Sequence, residues 1–374
     1  MQFTAQGFLV FELTHSPAFL GYVGFASGLP VWLFMLFGGV LSDRMPRRNL
    51  LLMTQTAMMI LAFFLATLTF LGHIQPWHIV VLAFGFGVAN SFDTPARHAF
   101  AVELVGREEL SNALALNSTM INLATAIGPA VAGVVYALLG PGWCFTINGV
   151  SFIAVISALL MMRLKPLPPR ERTGTPLDDL KEGLRYVVSH PTIRVLIVVA
   201  TMATVFGMSF VTLMPAWAVT ILHGNSTTNG FLQSARGVGS LIGGLMIASL
   251  ARNKIKGKVL TLGSLVFPVL LLVWSAMRWL PLSLLVLLGV GWGMMLVFNM
   301  ANILVQSVVS DQLRGRVMSI YSLGFFGMFP VGALLAGTVA EKIGAPSTVA
   351  LAAIVLLAFG GVLWVRMPQL RALE

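Results

Sequence analysis

Charge is scarce in this chain: Asp, Glu, Lys and Arg make up 10% of its 374 residues, against about 25% in soluble domains. So little polar surface could not cover a large soluble core. With 57% hydrophobic residues, the chain reads as an integral membrane protein. Cysteine is almost absent too. Cys144 stands alone, which excludes an intramolecular disulfide, and no Cys/His cluster has zinc spacing. The six histidines are scattered, mostly near loops, and read as ordinary side chains rather than metal ligands. The opening residues lack the basic region and small-residue cleavage site of a secretory signal peptide. There is no HExxH, Walker A or Gly-x-Ser-x-Gly pattern, and no polar stretch long enough for a nucleotide-binding domain. Enzyme and ATP-driven pump are disfavoured, and no cofactor is called for.

The net charge is +10, which in a soluble chain would suggest nucleic-acid binding. Here the charges sit between apolar runs, so membrane topology explains them better. A membrane helix needs about 20 apolar residues. Eleven such runs are expected, at 17–42, 49–72, 77–95, 111–139, 143–163, 195–222, 229–251, 258–277, 280–307, 316–339 and 346–365. The turns around 44–48, 97–107, 163–194, 252–258, 314–316 and 366–371 hold 20 of the 23 Lys and Arg. The alternate turns hold only Arg278 and Lys342, and Arg236 lies inside a run. Basic residues in short loops stay cytoplasmic; the bias places the turn at 43–48 and the C-terminus inside. Residues 1–13, "MQFTAQGFLVFEL", are apolar but would reach only about 20 Å, against a hydrocarbon core of about 30 Å. They are expected to be the end of a truncated first span, which would complete twelve.

The longest polar stretch, 163–194, is proline-rich at first. Leu177, Leu180, Leu184 and Val187 then recur at helical spacing among charges, which predicts an amphipathic cytoplasmic helix. It divides the chain into an N-terminal bundle at 1–163, a linker at 164–194 and a C-terminal bundle at 195–374. The halves echo each other. "LGYVGFASGLP" (20–30) aligns with "NGFLQSARGVG" (229–239), setting Gly21 over Gly230 and Gly28 over Gly237 at a shift of 209 residues. The same shift sets "LSDRMPRR" (41–48) over "LARNKIKG" (250–257). Duplicated halves suit a transporter with its site between them near the midplane, and they disfavour a channel.

At "GGVLSDRMPRR" the chain resembles the major facilitator superfamily. Gly39, Asp43, Arg44, Arg47 and Arg48 match its cytoplasmic signature, with Pro46 in place of a glycine. The resemblance implies two six-helix bundles related by a pseudo-twofold repeat. It also implies a cytoplasmic gate in which Asp43 docks at the start of the span near Arg314 and Arg316. The alternative is that these charges only set topology. In "AIGPAVAGVVYALLG" (126–140), Gly128, Pro129 and Gly133 resemble the Gly-Pro motif of the superfamily's antiporters; generic small-residue packing is the plainer reading. "FDTPARHAFAVELV" (92–105), "LRGRVMSIYSLGFFGMFPVGALLAG" (313–337) and "QGFLVFELTHSP" (6–17) resemble the branch of macrolide-efflux and enterobactin-exporter proteins.

Intramembrane charge is costly and usually functional. Arg236 lies about seven residues, or about 10 Å, inside its predicted span. It binds an anionic or catecholate substrate group, pairs with a moving acid, or snorkels to the outer headgroups. Asp93 and Arg97 stand at i and i+4. Asp93 is either a proton-coupling acid or half of a structural ion pair at the inner gate, and Glu12 is the alternative coupling acid. Asn299, Asn302 and Gln306 share one helix face, as do Ser118, Asn122 and Thr125; each stripe is either a cavity wall or an interhelical contact. The expectation is a multi-pass transporter of the bacterial cytoplasmic membrane. It would export an amphipathic small molecule, drug or siderophore, by alternating access with proton antiport, with membrane lipids and no nucleic acid as its other partners. The alternative is a lipid or lysolipid transporter of the same fold.

Overall fold

The computed structural model describes residues 1–104, 109–162, 176–250 and 255–373, with side chains at all of these except 35, 36, 39, 40, 42–44, 102, 110, 111, 114, 115, 176–180 and 250. The described residues are helical almost throughout. In chain order the helices are α1 (Gln2–Thr14), α2 (Pro17–Arg44), α3 (Arg47–Phe70), α4 (Pro76–Leu104), α5 (Leu110–Leu139) and α6 (Pro141–Met161). Next come α7 (Pro176–Ser189), α8 (Pro191–Ile221), α9 (Ser226–Leu250), α10 (Lys256–Ser275), α11 (Leu280–Val308), α12 (Arg314–Ile343) and α13 (Ala345–Arg366). Eleven of them, α2–α6 and α8–α13, are long and apolar enough to cross a membrane, matching the eleven runs expected. Helix α4 continues well past its predicted end at 95, because Arg97 satisfies Asp93 within the helix.

Helices α8 and α12 are not regular. Residues Ala203–Gly207 and Trp217–Ile221 of α8, and Leu323–Gly327 of α12, are wound as π-helix. Such bulges leave i→i−4 bonds unmade and collect at functional positions. The π segments Ala203–Gly207 and Leu323–Gly327 touch each other.

The repeat is written into the turns. His15 ends α1 and His223 follows α8, both at φ 51°. Gly140 joins α5 to α6 at φ 88°, ψ 171°, and Gly344 joins α12 to α13 at φ 82°, ψ 155°. That last backbone region is open essentially to glycine alone, so one residue suffices to reverse the chain in each half.

Each half has its own core. In the C-terminal half the Trp217 and Trp274 rings stack at 4.1 Å, amid Phe210, Phe267, Leu213 and Leu271. In the N-terminal half Phe11, Leu65, Ile79 and Phe145 are fully enclosed. A smaller cluster of Leu50, Leu51, Ala96, Phe100 and Leu159 closes its basic-rich end. Helix α1 lies among α2, α4, α5 and α6 and also touches α8 and α9. Helix α7 packs on the start of α12: Val187 is buried, and Glu182 Oε1 meets Arg316 Nη1 at 2.6 Å.

Candidate translocation pathway

The two halves meet along two crossings, α2 with α12 and α5 with α9. The crossings are copies of each other. A Cβ added to Gly21 would lie 2.9 Å from Ala333 O and 3.1 Å from Gly337 Cα. A Cβ added to Gly230 would lie 2.5 Å from Pro129 O and 3.1 Å from Gly133 Cα. Two turns further along, Gly28 faces Pro330 and Gly237 faces Ala126. The glycines that align in sequence therefore take equivalent places in space. Small residues let helix backbones touch, which is how helices associate where the hydrophobic effect is absent.

The Gly128–Pro129–Gly133 motif forms part of this contact. Pro129 has no N–H to give and disturbs the helix ladder around it. The neighbouring Ala130 N–H donates instead to Ser234 Oγ of α9 at 2.9 Å. In return, Ser226 Oγ and Thr227 Oγ1 donate to Gly133 O at 3.1 and 3.4 Å. Gly133 is thus in the crossing itself, whereas a Cβ on Gly128 would meet nothing within 4 Å.

Both crossings lie toward the side poor in basic residues, referred to as the outer side. A polar tie closes the α2–α12 crossing there. At the end of α12, Glu341 Oε2 accepts from Ser16 Oγ at 2.7 Å and from Ala18 N–H at 3.2 Å. These are the first turn of α2, so the carboxylate also faces the positive end of a helix. Near the other limit of the contact, Trp32 Nε1 donates to Gly327 O. Beyond it, toward the basic-rich side, polar side chains are exposed: Asn90, Thr94 and Arg97 on α4, Asn117 and Ser118 on α5, and Gln306 on α11.

Asp93 is fully buried at the inner end of α4. Thr54 Oγ1 and Gln55 Nε2 of α3 donate to its Oδ1 at 2.9 and 2.8 Å, and Arg97 donates to its Oδ2. The acid joins α3 to α4. Glu12 is different: it is exposed near the end of α1 and accepts a bond from Tyr136 of α5.

The gate motif divides in two. Arg47 pairs with Glu103 of α4. Arg48 donates from Nε and Nη2 to Leu159 O and Leu160 O, at 2.6 and 2.7 Å, capping the otherwise unbonded carbonyls at the end of α6. Both arginines fasten helices within the N-terminal half. The side chains of Asp43 and Arg44, and Gly39, lie outside the described residues, so their docking at α12 stays an expectation. At that start, Arg314 Nη2 meets Asp311 Oδ1 at 2.5 Å, and Arg316 meets Glu182 of α7.

The polar stripes are covered in part. Asn122 and Asn299 are half-buried. Asn302 Oδ1 accepts from Gln306 Nε2 at 2.6 Å. A longer stripe runs along α9. Asn229 Oδ1 accepts from Gln233 Nε2 at 3.2 Å, and Gln233 Oε1 accepts from Thr4 Oγ1 of α1 at 3.2 Å. Arg236 stands one turn further in. Helix α9 begins at Ser226, so Arg236 lies about 15 Å along it, half-way across a core of about 30 Å. That is deeper than the sequence suggested.

The chain is a set of transmembrane helices in two copies, joined by close backbone contacts toward one end and carrying exposed polar side chains toward the other. The profile of a family described as transmembrane secretion effectors, within the major facilitator superfamily, matches residues 1–374. The chain belongs to that family. It is a multi-pass membrane transporter and not an enzyme. The multidrug efflux pump Tap of Mycolicibacterium fortuitum is 26% identical over 98% of this chain and 91% of its own length. The staphyloferrin A transporter of Staphylococcus aureus is 24% identical over 88% of this chain and 83% of its own. The enterobactin exporter EntS of Shigella boydii is 24% identical over 96% and 86%. Among solved structures, the nucleoside transporter NupG superposes with a TM-score of 0.73 at 14% identity, covering 97% of this chain and 95% of that one. A bacterial homologue of the lysosomal transporter Spinster, inward-facing and unoccupied, gives 0.69 at 15% identity, over 99% and 94%. These last two share the major facilitator fold.

Sequence reasoning singled out Arg236, Asp93 and the crossing glycines. It missed Glu341, Ser16, Thr4, Gln233 and Asn229. The clue to Glu341 was its position: an acid at the outer end of one helix, in a chain whose other outer turns are nearly free of acids.

Proposed function

We propose that this transporter exports an amphipathic small molecule, a drug or a siderophore, from the cytoplasm across the bacterial cytoplasmic membrane by alternating access. The observation that carries the reading is the one-sided closure. Both glycine crossings and the Glu341 tie join the halves on the outer side, while the exposed polar residues of α4, α5 and α11 lie toward the basic-rich side. Basic loops are cytoplasmic, so this form receives solute from the cytoplasm. Rocking the bundles 1–163 and 195–374 about the midplane, with 164–194 as the linker, would part the crossings and release solute outside. In the outer-open form, Gly39, Asp43, Arg44 and the start of α12 would meet at the inner gate. Exporters of a siderophore and of drugs among the relatives support the direction.

Export would be driven by proton entry. Of the two candidate acids, Glu12 has the geometry of a carrier. It is exposed near the outer end, and its bonding partner is a neutral hydroxyl. Asp93, held by three side chains, has the geometry of a tie. The basic residues of the cytoplasmic turns would rest on anionic lipid headgroups.

The test is accumulation of macrolides, dyes and siderophores in efflux-deleted cells expressing the chain, with and without a protonophore. Accumulation should fall, and the protonophore and Glu12→Gln should each restore it. Efflux that survives the protonophore would remove proton coupling. No efflux of any compound would remove drug and siderophore export, leaving lipid transport to be tested in its place.

A further inference from the structure

Arg236 is a membrane-embedded cation that the fold leaves unmatched. Among the described residues it makes no ion pair and no hydrogen bond, and its Nε is enclosed without a partner. The residue as a whole is half-buried, and a charge held within the membrane without a protein partner is costly and usually functional.

Its direction is fixed by the helix. Phe231, Val238, Ile242 and Leu245 are the exposed apolar residues of α9 and mark its lipid face. At 3.6 residues per turn, Gln233, Arg236 and Ser240 fall on the opposite face. Gln233 there meets Thr4 of α1, and Ser240 Oγ donates to Gly291 O of α11 at 3.2 Å. Arg236 therefore sits between α1 and α11, facing the space between the halves. Outward along that face the helix is occupied by Gln233, bonded to Thr4 of α1, and by fully buried Asn229, which stand in the way of snorkelling. A second orphan lies on the same face: Asn229 Nδ2, fully buried and without a partner among the described residues. It is seven positions nearer the outer end, with Gln233 between. The stripe thus offers a guanidinium at the midplane and an unused amide donor on the way out. Among the described residues, Asp93 is the one buried acid, and it is already bound by Thr54, Gln55 and Arg97.

We infer that Arg236 recognises an anionic group on the transported molecule. The substrate class is then an amphipathic organic anion that presents a planar pair of oxygens, of the carboxylate kind, to the guanidinium fork. Gln233 and Asn229 line its exit. This inference rests on the export reading and narrows it.

The experiment uses the full chain in lipid nanodiscs. The probes are a series of aromatic carboxylates, naphthalene-2-carboxylate among them, each set against its neutral carboxamide. Binding is read by calorimetry and by ligand-induced thermal stabilisation. Carboxylates should bind at least tenfold tighter than their amides. Arg236→Gln should abolish that preference, and Arg236→Lys should weaken it by about tenfold, because charge remains but the fork is lost. Equal binding of acid and amide, absence of binding across the whole carboxylate series, or a preference that survives Arg236→Gln would each overturn the inference. If Arg236→Gln does not fold, Arg236→Lys decides, and unchanged binding overturns the proposal. Flux in everted vesicles separates the two readings. Carboxylates bound through Arg236 but not carried would sink export and leave the subsite. Carriage of neutral or cationic compounds with no preference for anions would do the reverse.

Discussion

Removing one carboxylate should loosen the outer end of the whole transporter. Glu341 joins α12 to the first turn of α2 through Ser16 Oγ and Ala18 N–H. Both bonds run between the two halves, so they exist only while the outer ends are together. Hydrogen bonds to an ionised group are worth about 1.5–3 kcal/mol each when enclosed. Glu341 is exposed, which brings the pair nearer to about 1 kcal/mol, and its place at a helix N-terminus adds about 0.3–1 kcal/mol. Glu341→Ala should therefore favour the outer-open form by about 1–2 kcal/mol, a shift of about 5–30-fold. An outer-open fraction of about 1 in 100 would rise to about 1 in 10 for a tenfold shift. Spin labels on cysteines at His73 and Trp279, exposed in the outer turns of opposite halves, would report it as a second, longer distance. Cys144 is buried and can stay in place. If the distance distribution in lipid is the same with and without Glu341, while Gly230→Leu lengthens it, the tie does not hold the outer end.

That control is a prediction in its own right. The side chain of Gly230→Leu would collide with the α5 backbone at Pro129 and Gly133; insertion should be normal, transport should be lost, and the label distance should stay long. Arg48→Gln removes two charge-assisted bonds from the end of α6, which should cost about 1–2 kcal/mol and lower the Tm by a few degrees in a thermal-unfolding scan. Asp93→Ala leaves Thr54 and Gln55 buried without their acceptor and should cost about 2–4 kcal/mol. A variant with unchanged Tm and altered proton dependence of transport would make Asp93 a proton carrier rather than a tie.

The span count, the repeat and the crossing glycines were legible because each is local in sequence or repeats at a fixed shift. Gly21 and Gly230 could be aligned before anything was known of what they touch. Partners were not legible. Thr54 and Gln55 reach Asp93 from 39 and 38 residues away, and nothing in either segment names the other. Arg47 and Arg48 read as topology signals, which accounts for their side of the membrane but not for Glu103 or the carbonyls of α6. The extent of α4 was misjudged at its charged end, where a hydropathy run stops but a helix with an internal Asp93–Arg97 pair does not. Thr4 and Gln233 come from opposite halves, so their bond follows only from the way the bundles close.

The closure contacts of this transporter are made largely of backbone. At both crossings glycine meets glycine, proline or a main-chain carbonyl, and these groups carry almost no chemical identity. The polar side chains proposed to meet solute stand elsewhere, on α4, α5, α9 and α11. On the proposal of alternating access, drift in those side chains would change the cargo without disturbing the rocking motion, and a lineage could take on new compounds while its moving parts stayed the same.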